Sequence, residues 1–409
     1  MSDNMINRRE FLTRSAKAAA GLAAASHLGN TLFATPMIKN SKIDEKVFIL
    51  GIDGMDPGLL HHFIQKGMLP NFKKFLRNNS YSPLRTTLPP QSPVAWASFI
   101  SGANPGVHGI YDFVHRDPAQ FLPFLSTSRT YSPEKNINLG SWSIPLKSGK
   151  VELLRKGPTF WSELEKQDIP VLLYKLPANF PVTEGKAKQI SGLGTPDLLG
   201  TYGTFTLFTE NRNENLENLG GGRIVQVQSH DHKFQCTLEG PSNPLNNKEE
   251  TSHAIFKISR DPWNDTIKID IQGKELILKK GEWTKWIPVE FTLLPVFASV
   301  HGMVRFYVQK VHPFLRLYVS PINVDPLHPD SPLSNPDDYS QKITKKIDRF
   351  YTQGFPEDTK ALSYGIFSDE EFLTQSKSVL NERLQAFDYQ LNHFDKGLFF
   401  FYFSSVDQN

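Results

Sequence analysis

The sequence predicts an α/β protein: a mostly parallel sheet flanked by helices, interrupted by an inserted antiparallel β module. Three observations predict it. Two continuous apolar runs, Val47 to Ile52 and Leu398 to Phe403, are each followed by an aspartate. Helical segments with proline or serine at their starts alternate with such runs, which is the βαβ pattern. Between about residues 220 and 320 the pattern changes to strict alternation of apolar and polar residues.

Taken in order, Val47 to Ile52 is rich in β-branched residues and suits a strand buried on both faces of a parallel sheet. Pro57 to Phe63 and Pro70 to Arg77 read as short helices with proline in the first turn, the first capped by Asp56. Ser92-Pro93 reads as an N-cap followed by proline at the first helical position, with Gly102 closing the helix. Gly157 to Lys166 is a further helix, and Ile169 to Leu176 a second buried strand. Arg223 to Gln228, Thr266 to Ile271, Lys274 to Leu278, Val304 to Val308 and Leu315 to Val319 alternate, and Gln272-Gly273 has the length of a hairpin loop. Pro321 to Asp338 is a loop back. Helical signals return in Tyr339 to Tyr351 and Ser368 to Asp395, before the strand that leads to Asp407.

The chain has 409 residues, 39% hydrophobic and 21% charged, which excludes global disorder. Its net charge is +3, two units of which belong to the leader, so the charge gives no reason to predict a nucleic-acid partner. Cys236, the single cysteine, reads as a packing residue. The leader, Asn7-Arg8-Arg9-Glu10-Phe11-Leu12 and then alanine-rich Ala16 to Ala25, resembles a twin-arginine export signal. It predicts export to the periplasm or another extracytoplasmic space, with the twin-arginine machinery as a partner. Its apolar stretch is too short for a stable membrane anchor.

The chemistry lies in two segments. In open parallel sheets, ligands sit at the carboxyl ends of the strands, and Asp53 and Asp407 both fall at such ends. Their hard oxygens suit a divalent cation. Ser92 offers a hydroxyl at a helix start, whose amides and dipole favour a phosphate. A coordinated metal would stabilise its alkoxide, so no histidine base is needed. Singly, each residue has a plainer reading: Asp53 as a turn cap, Ser92 as an N-cap, Asn104-Pro-Gly106 as a turn, His108 as a buried hydrogen-bonded histidine. His230-Asp231-His232 reads as a solvated strand segment, and Phe399 to Phe403 as core.

Together, Gly-Ile-Asp53-Gly, Pro-Gln-Ser92-Pro and Gly102-Ala-Asn-Pro-Gly-Val-His108-Gly-Ile resemble the alkaline phosphatase superfamily, and within it the type I phosphodiesterase/nucleotide pyrophosphatase branch. Ser191-Gly-Leu-Gly-Thr-Pro-Asp197 and Thr201-Tyr-Gly-Thr-Phe205 add to the likeness. The resemblance implies two divalent metal ions, zinc first, with manganese or magnesium as alternatives. It implies that Asp53 and Ser92 bind one metal, with Ser92 as the phosphorylated nucleophile, and that Asp407 is the first ligand of the second. The substrate class would be small-molecule phosphate esters, either diesters or pyrophosphate bonds. The layout is then a signal at 1–34, a first core part at 46–219, the inserted module at 220–320 placed over the rim to shape the substrate pocket, and a second core part at 339–409. The family's further metal ligands follow the position matching Asp407, and this sequence runs only to Asn409. The expectation is therefore a C-terminally truncated, weakly active or inactive chain whose last strand lacks flanking partners. A sulfatase or phosphomutase of the same superfamily, or a non-catalytic binding protein on this fold, are the rival readings. Against the sulfatase stands Ser92-Pro-Val-Ala, which does not fit the Cys/Ser-x-Pro-x-Arg pattern.

Overall fold

A computed structural model describes residues 45–408, apart from 132–135, 141, 146–148, 215–219, 247–249 and 296. The twin-arginine-like leader lies outside the described residues. β1 (Lys46–Ile52) leads through the Asp53 turn to α1 (Pro57–Gln65), α2 (Pro70–Asn78), α3 (Ser92–Ser101) and the single turn α4 (Pro105–His108). Proline stands in the first turn of all four, where its missing N–H is no loss. Asp56 caps α1, accepting from Leu59 N at 2.7 Å, and Gly102 closes α3 in the left-handed region. The strands β2 (Val114–Arg116), β3 (Pro123–Leu125), β4 (Ser128–Tyr131), β5 (Asn136–Leu139), β6 (Trp142–Pro145) and β7 (Lys150–Leu153) pair as β2–β3, β5–β6 and β4–β7. Next come α5 (Phe160–Glu165), β8 (Val171–Leu176), β9 (Lys188–Ser191) and β10 (Phe205–Thr209).

The β-rich stretch holds β11 (Gly222–Gln226), β12 (Lys233–Ser242), β13 (Thr251–Arg260), β14 (Thr266–Ile271), β15 (Lys274–Lys279), β16 (Ile287–Leu294), β17 (Ala298–Val304), β18 (Phe306–Lys310), β19 (Arg316–Val319) and β20 (Asn323–Val324). After β21 (Ser334–Asn335) follow α6 (Tyr339–Ile347), α7 (Thr359–Ser363), α8 (Asp369–Asn392) and β22 (Gly397–Phe403). α8 opens on a capping box in which Ser368 and Glu371 exchange hydrogen bonds with each other's backbone.

The sheet that carries the aspartates has the order β1-β22-β8-β9-β21. Its first four strands are parallel, and two-residue β21 joins antiparallel. Helices cover both faces. Leu398, Phe400 and Tyr402 pack with Ile100 and Trp96 of α3 and Trp161 of α5. Phe399 and Phe401 pack with Ile343 of α6 and Ala386 of α8. Two readings need correction here. β1 is not buried on both faces: it is the outermost strand, with Val47, Phe48 and Leu50 all exposed. β22 does not lack partners, being held between β1 and β8.

The other strands form antiparallel sheets ordered β12-β13-β14-β15 and β16-β17-β20, and a mixed sheet ordered β11-β10-β19-β18 in which β10 and β11 run parallel. Their inward residues, such as Phe234, Phe256, Ile269, Phe291 and Val308, share one core. Gln272 and Gly273 join β14 to β15 with φ of 47° and 77°, the double left-handed geometry of a tight hairpin. Burial pushes the Cys236 thiol up to about 12, in keeping with a packing role. Among the described residues, no helix is long and apolar enough to cross a membrane.

A candidate active site at the carboxyl rim of the parallel sheet

β1 and β22 are parallel neighbours in the register Ile52↔Phe403, so the turns that follow them emerge at the same rim. Asp53 is buried directly after β1, and its amide donates to Phe403 O at 3.0 Å. Asp407 lies four residues beyond β22, in a turn closed by Asp407 N donating to Ser404 O at 3.0 Å. The two turns touch. Gly54 has φ of +68°, and a Cβ there would lie 2.6 Å from Asp407 Cα.

Ser92 Oγ donates to Asp53 Oδ1 at 3.2 Å, so the predicted nucleophile and the predicted ligand are adjacent. Gly54 N also donates to Oδ1, at 3.2 Å. The second oxygen, Oδ2, accepts from the Tyr402 hydroxyl at 2.6 Å. Ser92 is not the N-cap of α3. Gln91 holds that position without a side-chain cap, and Ser92 is the first helical residue, which frees its hydroxyl for Asp53. The helix start also offers less than expected to an anion. Pro93 has no N–H, and the amides of Val94 and Ala95 both donate to Gln91 O, so Ser92's own amide is what the first turn presents.

Asp407 is drawn into the same electrostatic unit. Partial burial, then the like charge of Asp53 and that of Glu357, hold its carboxyl above the usual range. Glu357 is itself buried and accepts from the hydroxyls of Ser404 and Ser405 at 3.0–3.1 Å, tying down the turn that carries Asp407. Beside this turn lies a cavity of about 250 Å³, walled by Tyr202, Gly203, Gln353, Phe355, Lys360 and Gln408 among others. Its lining comes from the loops after β9 and α6, the start of α7 and the turn after β22, and none of the lining residues falls in 220–320. Buried Asp197 folds the first of these loops, accepting from the amides of Thr201, Gly203 and Thr204 at 2.8, 3.3 and 3.1 Å. Neither this cavity nor a larger groove of about 920 Å³, between His301, His328 and Lys345, is lined by Asp53, Ser92 or Asp407.

His108 is structural, as expected. It is fully buried, accepts from Ile110 N through Nδ1 at 3.1 Å, and meets Ser98 Oγ through Nε2 at 2.9 Å. Burial, then the Arg155 charge, keep its pKa low. His230-Asp231-His232 is exposed and forms part of a tight turn rather than a strand, with Asp231 and His232 at positive φ. Among the described residues, no group of three or more His, Cys, Asp or Glu is placed to hold a metal ion. The oxygens present at the rim are hard donors: the carboxylates of Asp53 and Asp407 and the hydroxyl of Ser92. The repulsion between the two carboxylates is of the kind a cation relieves, so the three groups fit part of a divalent-metal site.

Sequence reasoning missed Tyr402, hidden in a run read only as core. Its one signal was a hydroxyl in a stripe otherwise made of leucine and phenylalanine.

Residues 47–202 match the family model for type I phosphodiesterase / nucleotide pyrophosphatase, a span that contains Asp53 and Ser92 but not Asp407. No curated protein and no solved structure matches the chain.

Proposed function

We propose, from the match of residues 47–202 to the type I phosphodiesterase / nucleotide pyrophosphatase family model, which belongs to the alkaline phosphatase superfamily, that this protein hydrolyses phosphate esters, diesters or pyrophosphate bonds, through a phosphoserine at Ser92. The observation that carries the reading is the Ser92 Oγ–Asp53 Oδ1 contact of 3.2 Å at the carboxyl rim of the sheet.

The family is metal-dependent. In this reading Asp53 and Ser92 hold one divalent ion and Asp407 is a ligand of a second, with zinc the first choice. When bound, such ions neutralise charge on the phosphate and on the serine oxygen. The chain's own groups do the rest. Asp53 takes the Ser92 hydroxyl as a hydrogen-bond donor and so orients Oγ. Ser92 Oγ forms the bond to phosphorus as the ester oxygen leaves with its electron pair, and the serine proton passes to that leaving oxygen in the balance of the step. Water then attacks phosphorus and the Ser92 oxygen departs, taking up a proton from the water and restoring the hydroxyl. The Ser92 amide at the start of α3 is placed to stabilise a phosphate oxygen. The cavity lined by Gln408, the neighbour of Asp407, would supply room for the ester group.

The test is acid quench of the 409-residue chain with an aryl phosphodiester and zinc, followed by peptide mass spectrometry. A phosphoryl group that still carries the remaining ester substituent is expected on the Ser92 peptide, with both it and turnover absent from Ser92→Ala. Wild-type turnover by that variant would refute the assignment. Export is part of the same proposal, supported by the Arg8-Arg9-Glu10-Phe11-Leu12 leader. Replacing Arg8 and Arg9 with lysine should retain the protein in the cytoplasm on cell fractionation, and unchanged export would count against twin-arginine passage.

A further inference from the structure

We propose that Tyr402 is a positioning residue for the site: its hydroxyl anchors one oxygen of Asp53, so that the other is presented to Ser92 and to a divalent cation. This rests on the phosphoester hydrolase reading and extends it to a residue outside the matched span.

The argument begins in the strand. β22 reads Gly-Leu-Phe-Phe-Phe-Tyr-Phe and is buried from Gly397 to Tyr402. For packing alone, phenylalanine at 402 would serve as it does at 399, 400 and 401. A buried hydroxyl without a partner is unfavourable, so its presence needs an acceptor. Tyr402 is 1% exposed, and its hydroxyl finds Asp53 Oδ2 at 2.6 Å.

That contact divides the carboxylate between two tasks. Among the described residues, Oδ2 accepts from Tyr402 alone, while Oδ1 accepts from Ser92 Oγ and Gly54 N. A carboxylate rotates readily about its last torsion. Anchoring Oδ2 fixes the rotation and directs Oδ1 at Ser92. Groups that orient a metal ligand in this way commonly change affinity ten- to a hundredfold when lost.

The ring is held as firmly as the hydroxyl. Trp96 of α3 meets it edge-on, with centroids 5.5 Å apart at 87°. The Arg383 guanidinium lies over the ring at 5.7 Å, and Arg383 Nη1 donates to Tyr402 O at 3.4 Å. Gly51 permits this closeness, because a Cβ there would come within 2.7 Å of the Trp96 ring. Trp96 lies one turn after Ser92 on the same helix. Tyr402 therefore braces the ligand through its hydroxyl and the helix of the nucleophile through its ring.

The test compares zinc affinity, by equilibrium dialysis with zinc alone, for the wild-type chain, Tyr402→Phe, Tyr174→Phe and Asp53→Asn. Phenylalanine at 402 keeps the ring and its contacts with Trp96 and Arg383. Tyr174, buried in β8 and stacked on Phe401 at 4.6 Å, is the control for a lost buried hydroxyl. The expected result is a ten- to hundredfold weaker affinity in Tyr402→Phe, with a wild-type circular dichroism spectrum, and no change in Tyr174→Phe. Affinity equal to wild type in Tyr402→Phe, with binding lost in Asp53→Asn, overturns the positioning role alone. Zinc that binds neither wild type nor variant, or binds wild type and Asp53→Asn alike, refutes the reading of the site and this role with it. Loss of the native spectrum in Tyr402→Phe also overturns the proposal, since the hydroxyl would then serve the fold as a whole.

Discussion

Gly54→Ala probes the contact that brings the two aspartate turns together. Gly54 has φ of +68°, a conformation that costs an L-residue roughly 1–2 kcal/mol. A methyl there would also meet backbone, with Asp407 Cα at 2.6 Å and Asp407 N at 2.9 Å. Overpacking of that kind adds about 1–3 kcal/mol if the turn after β22 holds its place. Gly67 separates the two effects, since it has φ of +74° with nothing within 4 Å of its would-be Cβ. Gly67→Ala should therefore show the strain alone, and Gly54→Ala the strain and the collision. Urea denaturation followed by far-ultraviolet circular dichroism reads the difference. If the turn yields instead, Asp407 moves from Asp53, and zinc affinity falls while stability follows the control. Control-level stability together with wild-type zinc affinity in Gly54→Ala would refute the reasoning.

Two further outcomes follow from named groups. Because Ser92 is not a helix cap, Ser92→Ala should lose only one hydrogen bond to Asp53, about 0.5–1.5 kcal/mol, and keep the native spectrum; a collapse of the fold would show that the serine supports structure instead. Burial pushes the Asp358 carboxyl up to about 6, against hydrogen bonds from the Tyr318 hydroxyl and Ala361 N and the nearby Lys360 charge. The folded state then binds the proton more tightly than the unfolded one, so stability is lost as pH rises from about 4 to about 6. Asp358→Asn removes this dependence, and its stability relative to wild type should rise across that window, on the order of 2–3 kcal/mol. A difference that is flat with pH in urea titrations would contradict the burial of that charge.

How much was legible in the sequence is clearest at particular residues. Local rules placed the start of α1 at Pro57 under Asp56, the end of α3 at Gly102, the opening of α8 at Ser368 and the hairpin at Gln272-Gly273, because each depends on neighbours a few residues away. The same rules put Asp53 at a strand end and Ser92 at a helix start. They erred by one position on the cap, since a hydroxyl at a helix start can serve either the backbone or a distant carboxylate, and only the distant partner decides.

The sequence by itself determined that apolar runs end in carboxylates and that a serine opens a helix. Tertiary structure decided what those residues meet. Pairing between positions some 350 residues apart made β1 the exposed outer strand and β22 an inner one, which no local pattern encodes because both runs are equally apolar. That pairing also brought the Tyr402 hydroxyl to Asp53 and turned one member of an aromatic stripe into a partner of the site. Propensity acts between near neighbours along the chain, whereas a site is assembled by contacts that exist only after the sheet has chosen its order.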